Sequence, residues 1–156
     1  MTRVFSQAVL LSTVLALAAC QRTDAVVEAG VPDTRICYIA MTEPATAPIS
    51  RATIGYSCRD LGPVPASRFK SIMEAVAEAK PGRFDDAGVR VRISRPAQPD
   101  IFIDKDGGVH LDGAQTRLTS SGLSSVRTVL EMMRENAEKV QEGQFEEAMR
   151  RAMSAG

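Results

Sequence analysis

Ile101-Phe102-Ile103-Asp104-Lys105-Asp106-Gly107-Gly108-Val109-His110-Leu111 holds two short β-prone runs around an Asp- and Gly-rich connection. Glycine accepts the positive φ that a tight reversal needs, so residues 101–103 and 109–111 are expected to pair as an antiparallel hairpin. A hairpin in mid-chain commits the fold to a sheet on which any helices must pack. His110 is the sole histidine and alternates with Val109 and Leu111. It is therefore expected on the opposite, outward face.

Upstream, Val89, Val91 and Ile93 alternate with Arg90, Arg92 and Ser94, the pattern of a half-buried strand with a basic outer face. Arg90, Arg92 and Arg95 could together form an anion-binding stripe; a solvated sheet face is the plainer reading. Phe69, Ile72, Met73 and Val76 fall on one face of a helix that Ser67 would cap and Pro81-Gly82 would end. Further upstream, residues 36–41 and 52–58 read as strands on either side of the Pro-rich 43–48 loop, and residues 61–65 are a break.

Downstream, Asp112-Gly113 is another turn. Leu123, Val126, Leu130, Met133, Ala137 and Val140 then define a long amphipathic helix from Ser120 or Ser121. Gly143 is expected to break it, leaving a short helix over 144–153. The order ββαβββαα predicts an α+β domain: a small mixed sheet with two main helices packed on one face.

The start of the chain has a different character. Arg3 precedes an uncharged apolar run that ends in Leu17-Ala18-Ala19-Cys20. A short positive region, an apolar core and small residues at a cut site define a secretory signal. Its last four residues resemble the lipobox of bacterial lipoproteins. That resemblance implies removal of residues 1–19, acylation of Cys20 and attachment to the cell envelope through the acyl chains. Gln21 stands where an Asp would retain an enterobacterial lipoprotein in the inner membrane, so the outer membrane is favoured. Residues 20–34 are expected to be a flexible tether with a reach on the order of 20 Å, and residues 35–156 a single periplasmic domain.

Basic and acidic side chains number 19 each, and loss of Arg3 leaves one net negative charge. That balance directs the chain toward neither nucleic acid nor an anionic surface. With Cys20 acylated, Cys37 and Cys58 are the remaining thiols, and in an oxidising compartment they are expected to pair. In a hairpin of the two upstream strands Cys37 would oppose Cys58, with Tyr38 facing Ser57 and Met41 facing Ile54.

No cofactor or metal motif is present. Asp104, Asp106 and Asp112 suggest calcium, but an EF-hand loop from Asp104 needs Gly and Glu where Val109 and Gln115 stand. No nucleophile elbow surrounds Ser120, Ser121, Ser124 or Ser125.

Residues 99–113, followed by a Leu-bearing helix, resemble part of the periplasmic domain of the ExbD/TolR family, which has a strand, an Asp-x-x-Gly turn, a strand and a helix. Residues 64–93 are loosely similar to that family's other half, in swapped order. The family couples energy through an aspartate on a membrane helix that has no counterpart here, so the resemblance implies a fold and no coupling residues.

The leading expectation is a non-enzymatic envelope lipoprotein that binds another envelope component. A small hydrolase using His110 with a nearby Ser or Asp is the first alternative. A small-ligand binder using Arg90, Arg92 and Arg95 is the second.

Overall fold

A computed structural model describes residues 29–154. The lipobox and Cys20 lie outside them. In chain order the elements are β1 (Arg35–Tyr38), α1 (Ile54–Ser57), β2 (Arg59–Asp60), α2 (Ala66–Ala77), β3 (Lys80–Pro81), β4 (Val89–Ser94), β5 (Ile101–Asp104), β6 (Gly108–Leu111), β7 (Ala114–Arg117) and α3 (Ser120–Ser154). The strands form one seven-stranded sheet in the order β2-β1-β4-β5-β6-β7-β3.

The class is α+β, as expected. The sheet is antiparallel at every pairing of these strands rather than mixed. Short connections from β4 through β7 produce this, since a parallel neighbour needs a long crossover. A single parallel bridge joins Ile49 to Gly88.

The central hairpin forms where the sequence places it. Gly107 (φ +84°) closes the β5–β6 turn, its N–H donating to the Asp104 carbonyl at 3.1 Å. Asp112 (φ +49°) and Gly113 (φ +78°) make the two-residue turn into β7, where both central residues need positive φ.

One face of the sheet carries the core. Ile36, Tyr38, Val91, Ile93, Ile101, Ile103 and Val109 pack with Ile72 and Ala75 of α2 and with Val126, Val129, Leu130 and Met133 of α3. Each fully buried Ile or Leu contributes about 2 kcal/mol by removing apolar area from water. Both main helices thus share one face.

Residues 52–58 are a correction. Ile54–Ser57 is a helical turn, and only Arg59–Asp60 pairs with β1. The Ser50 N–H donates to Thr53 Oγ1 at 2.9 Å, and the Ile54 N–H donates to the Ser50 carbonyl at 2.9 Å. Such local Ser/Thr bonds compete with a ladder. Cys37 and Cys58 are nevertheless disulfide-bonded, with Cα atoms 5.4 Å apart. Cys37 itself lies opposite Asp60, and Tyr38 opposite Arg59.

Two helix limits also differ. α2 begins at Ala66 behind Pro65, so Ser67 lies within its first turn and is not its cap. α3 runs unbroken through Gly143. One helical glycine costs about 1 kcal/mol, which the Glu-, Gln-, Ala- and Arg-rich flanks offset. Within the expected tether, the Val31 N–H donates to the Val64 carbonyl at 2.8 Å and Gly30 bridges Pro65, so residues 30–31 are bonded to the body.

Candidate functional site

Antiparallel register aligns Cys37, Arg92, Phe102, His110 and Gln115 in one row across the face away from the core. His110 is half-buried in this row, as its alternation implies. Its ring lies 5.5 Å from that of Phe84 and 6.4 Å from that of Phe102. Arg51 Nη1 sits 2.9 Å from Nε2. The same Nη1 lies 3.4 Å from Nδ1, and since a guanidinium carries no acceptor it is the donor to the ring. Arg51 also pairs with Asp86 at 2.7 Å and lies 5.9 Å from the Phe84 ring centre.

This arrangement positions an imidazole against a cation and two aromatic rings. General acid–base work on a nucleophile needs a Ser or carboxylate within hydrogen-bond reach. Among the described residues the side-chain hydrogen-bond partner of His110 is Arg51 instead. Arg51 and Phe84 were not legible as its neighbours, because both contacts cross long sequence separations and follow no local pattern.

The three arginines of the basic strand do not form a stripe. A bulge in β4 pairs Val89 with Asp104 and Val91 with Ile103, which leaves Arg90 as the extra residue. Arg92 forms an ion pair with Asp100 at 2.8 Å. Arg95 has its Nε enclosed without a partner. Arg90 is buried beside the 41–48 loop.

The aspartate cluster has a structural explanation. Asp104 is fully buried, and its carboxylate accepts the N–H groups of Asp85, Asp106 and Gly108, each at 2.8 Å. This is a turn organised by a side chain. Asp112 contributes through its positive φ.

A polar chain joins the sheet to α3. The buried Tyr38 hydroxyl donates to Glu131 Oε1 at 2.6 Å, and Arg134 Nε donates to Glu131 Oε2 at 2.8 Å. Arg134 and Arg59 both reach Glu138. Burial, then the Glu131 bond, raises the Tyr38 pKa far above the usual phenol value. A raised folded-state pKa favours the protonated form, so this contribution is full below the unfolded value near 10 and is lost above it. Stability is expected to fall steeply above about pH 10, and Tyr38→Phe should flatten that limb while costing about 1 kcal/mol at pH 7. Urea midpoints at pH 7 to 11 check this; equal alkaline limbs in the two proteins would disprove the assignment.

Beyond this chain α3 leaves the body. No residue from Arg134 to Ser154 is buried, over a length of about 30 Å. Val140, Phe145, Met149 and Met153 are exposed, Phe145 by 66%. Phe145, Ala148, Met149, Ala152 and Met153 follow i, i+3, i+4, i+7, i+8 spacing, a continuous apolar stripe. Glu146 and Glu147 flank its first half, and Arg150 and Arg151 its second. A groove of about 680 Å³, lined by Leu61, Pro63, Pro65, Met133, Ala137 and Val140 among others, opens beside the root of this segment. The sequence carried the 145–153 spacing, but the expected break at Gly143 hid its continuity with α3.

No family model, curated protein or solved structure matches this chain.

Proposed function

We propose that this protein is a bacterial envelope lipoprotein, acylated at Cys20, that serves as a non-enzymatic binding module for another envelope protein. The exposed stripe on the second half of α3 carries this reading. An isolated helical segment gains little stability from propensity alone, and most helices are held by packing of an apolar face. Here that face has no cover from the described body.

The expected occupant is an apolar groove of a partner protein, rimmed by charges of both signs to match Glu146, Glu147, Arg150 and Arg151. These four charges cancel, whereas attraction to an anionic lipid surface needs an excess of Lys or Arg. The lipobox resemblance supports an encounter in the envelope, with the acyl chains as the anchor. The contacts of His110 with Arg51 do not favour the hydrolase alternative.

Phe145→Asp with Met149→Asp should abolish partner recovery from gently crosslinked envelopes and leave the melting of the body unchanged. Recovery of wild-type protein without a partner, or crosslinks only between its own copies or to lipid, would overturn the reading. Cys20→Ser should release the protein from membranes or leave an unprocessed precursor; unchanged lipid labelling would refute the anchor.

A further inference from the structure

We propose that the cleft between the 41–48 loop and the bulged end of β4 binds a small oxyanion, a carboxylate or phosphate group, through Arg90 and Lys105. The bulge is the first observation. It inserts Arg90 between Val89 and Val91 without a partner on β5, while its carbonyl accepts the Ile39 N–H at 2.8 Å, and bulges re-aim side chains in this way. Strict alternation would have placed Arg90 beside Arg92 on the outer face.

The second observation is an uncompensated charge. Arg90 is only 4% exposed. Its Nη1 donates to the Val89 carbonyl at 3.1 Å, its Nη2 to the Glu43 carbonyl at 3.5 Å, and its Nε has no partner. No carboxylate of the described residues pairs with it. A buried guanidinium held by two carbonyls alone is costly, and an anion offsets that cost.

The third observation is the space and its walls. The cleft is about 500 Å³ and polar, lined by Arg90, Lys105, Gly88 and the 41–48 loop. Lys105 is exposed and forms no ion pair among the described residues. Arg127 braces the wall behind it, with Nη2 on the Lys105 carbonyl and Nε on Met41 Sδ. Two acidic groups, Glu43 and Asp85, also line the cleft; both are exposed, and Asp85 Oδ1 accepts the Ala87 N–H.

Nε and Nη2 share one edge of the guanidinium. An oxyanion that displaces the long Glu43 carbonyl contact takes both donors together, the two-point geometry arginine offers to carboxylate and phosphate. The exposed 42–48 loop is the part that yields. None of the α3 stripe residues is involved, so this inference stands apart from the proposed function.

Thermal melts of the purified full-length protein in inorganic phosphate, acetate and chloride at matched ionic strength provide the test. A saturable rise in Tm in phosphate or in acetate, absent in chloride, is expected, and the active anion identifies the group. Lys105→Glu should weaken the apparent affinity at least about tenfold. Arg90→Met should abolish the response while its Tm in chloride stays equal to or above wild type. Should Arg90→Met fail to fold, Lys105→Glu and Lys105→Ala carry the test. Identical melts in all three salts, or a response that survives both the Lys105→Glu and Arg90→Met substitutions, would overturn the proposal.

Discussion

Asp104→Ala is expected to lower the unfolding free energy by about 4 kcal/mol, the loss that follows when three N–H groups forfeit a buried carboxylate acceptor. The Asp85, Asp106 and Gly108 donors all lie 2.8 Å from its oxygens, and Asp104 itself is fully buried. The Gly108 bond is buried, so water reaches that donor only by opening the hairpin. Packing around the turn leaves little slack: a Cβ added at Gly108 would overlap Asp104 Oδ2 and lie 2.6 Å from the Arg83 carbonyl oxygen. Against a typical total of 5–15 kcal/mol, the loss is large enough to read in a urea melt. Asp104→Asn should cost roughly half as much, because its one carbonyl oxygen can keep the Asp106 and Gly108 donors while the amide nitrogen faces the Asp85 N–H. Both substitutions should also broaden the His110 ring signals, since Phe84 is positioned by its neighbour Asp85. A loss under about 1 kcal/mol for Asp104→Ala would show that this carboxylate does not organise the turn.

The elements legible in the sequence are those whose side chains repeat. β4, β5 and β6 alternate, α2 and the first half of α3 carry helical stripes, and the Asp-Gly turns announce themselves through backbone need. β7 was not legible because Ala114-Gln115-Thr116-Arg117 has no apolar alternation; its pairing follows from the turn before it. β2 and β3 are two-residue edge strands fixed by what they lie beside. α1 contradicts the β-prone look of Ile54 and Tyr56, and the 91% exposure of Tyr56 shows that no sheet neighbour covers it. The site residues divide on the same principle. The direction of His110 follows from period two, but period two fails at a bulge, and nothing local in Val89-Arg90-Val91 marks one. That is why Arg90, Arg92 and Arg95, read mainly as a solvated basic face, are instead one buried guanidinium, one ion pair and one enclosed Nε.

Removing the crosslink by Cys37→Ser with Cys58→Ser is expected to cost about 3 kcal/mol under oxidising conditions, from the loop entropy returned to the unfolded chain. The bond spans a sequence separation of 21 and encloses the 41–48 loop, Arg51 and α1. α1 is four residues long, too short to persist without tertiary support, and Cys58 follows it directly. β2 adds only two residues of pairing to β1 at the sheet edge. Reduction should therefore loosen α1 and β2 before the core, and the Arg51 contact with His110 should weaken with them. Amide exchange of residues 54–60 should rise in reductant while that of β4 and β5 holds. The wild type in strong reductant should melt where the double variant melts. Single Cys37→Ser separates the two causes of loss: its deficit should vanish when both proteins are reduced. A deficit of equal size in reductant would mean that the Cys37 side chain acts by packing against the sheet, and that the edge strand and the turn before it stand without the covalent link.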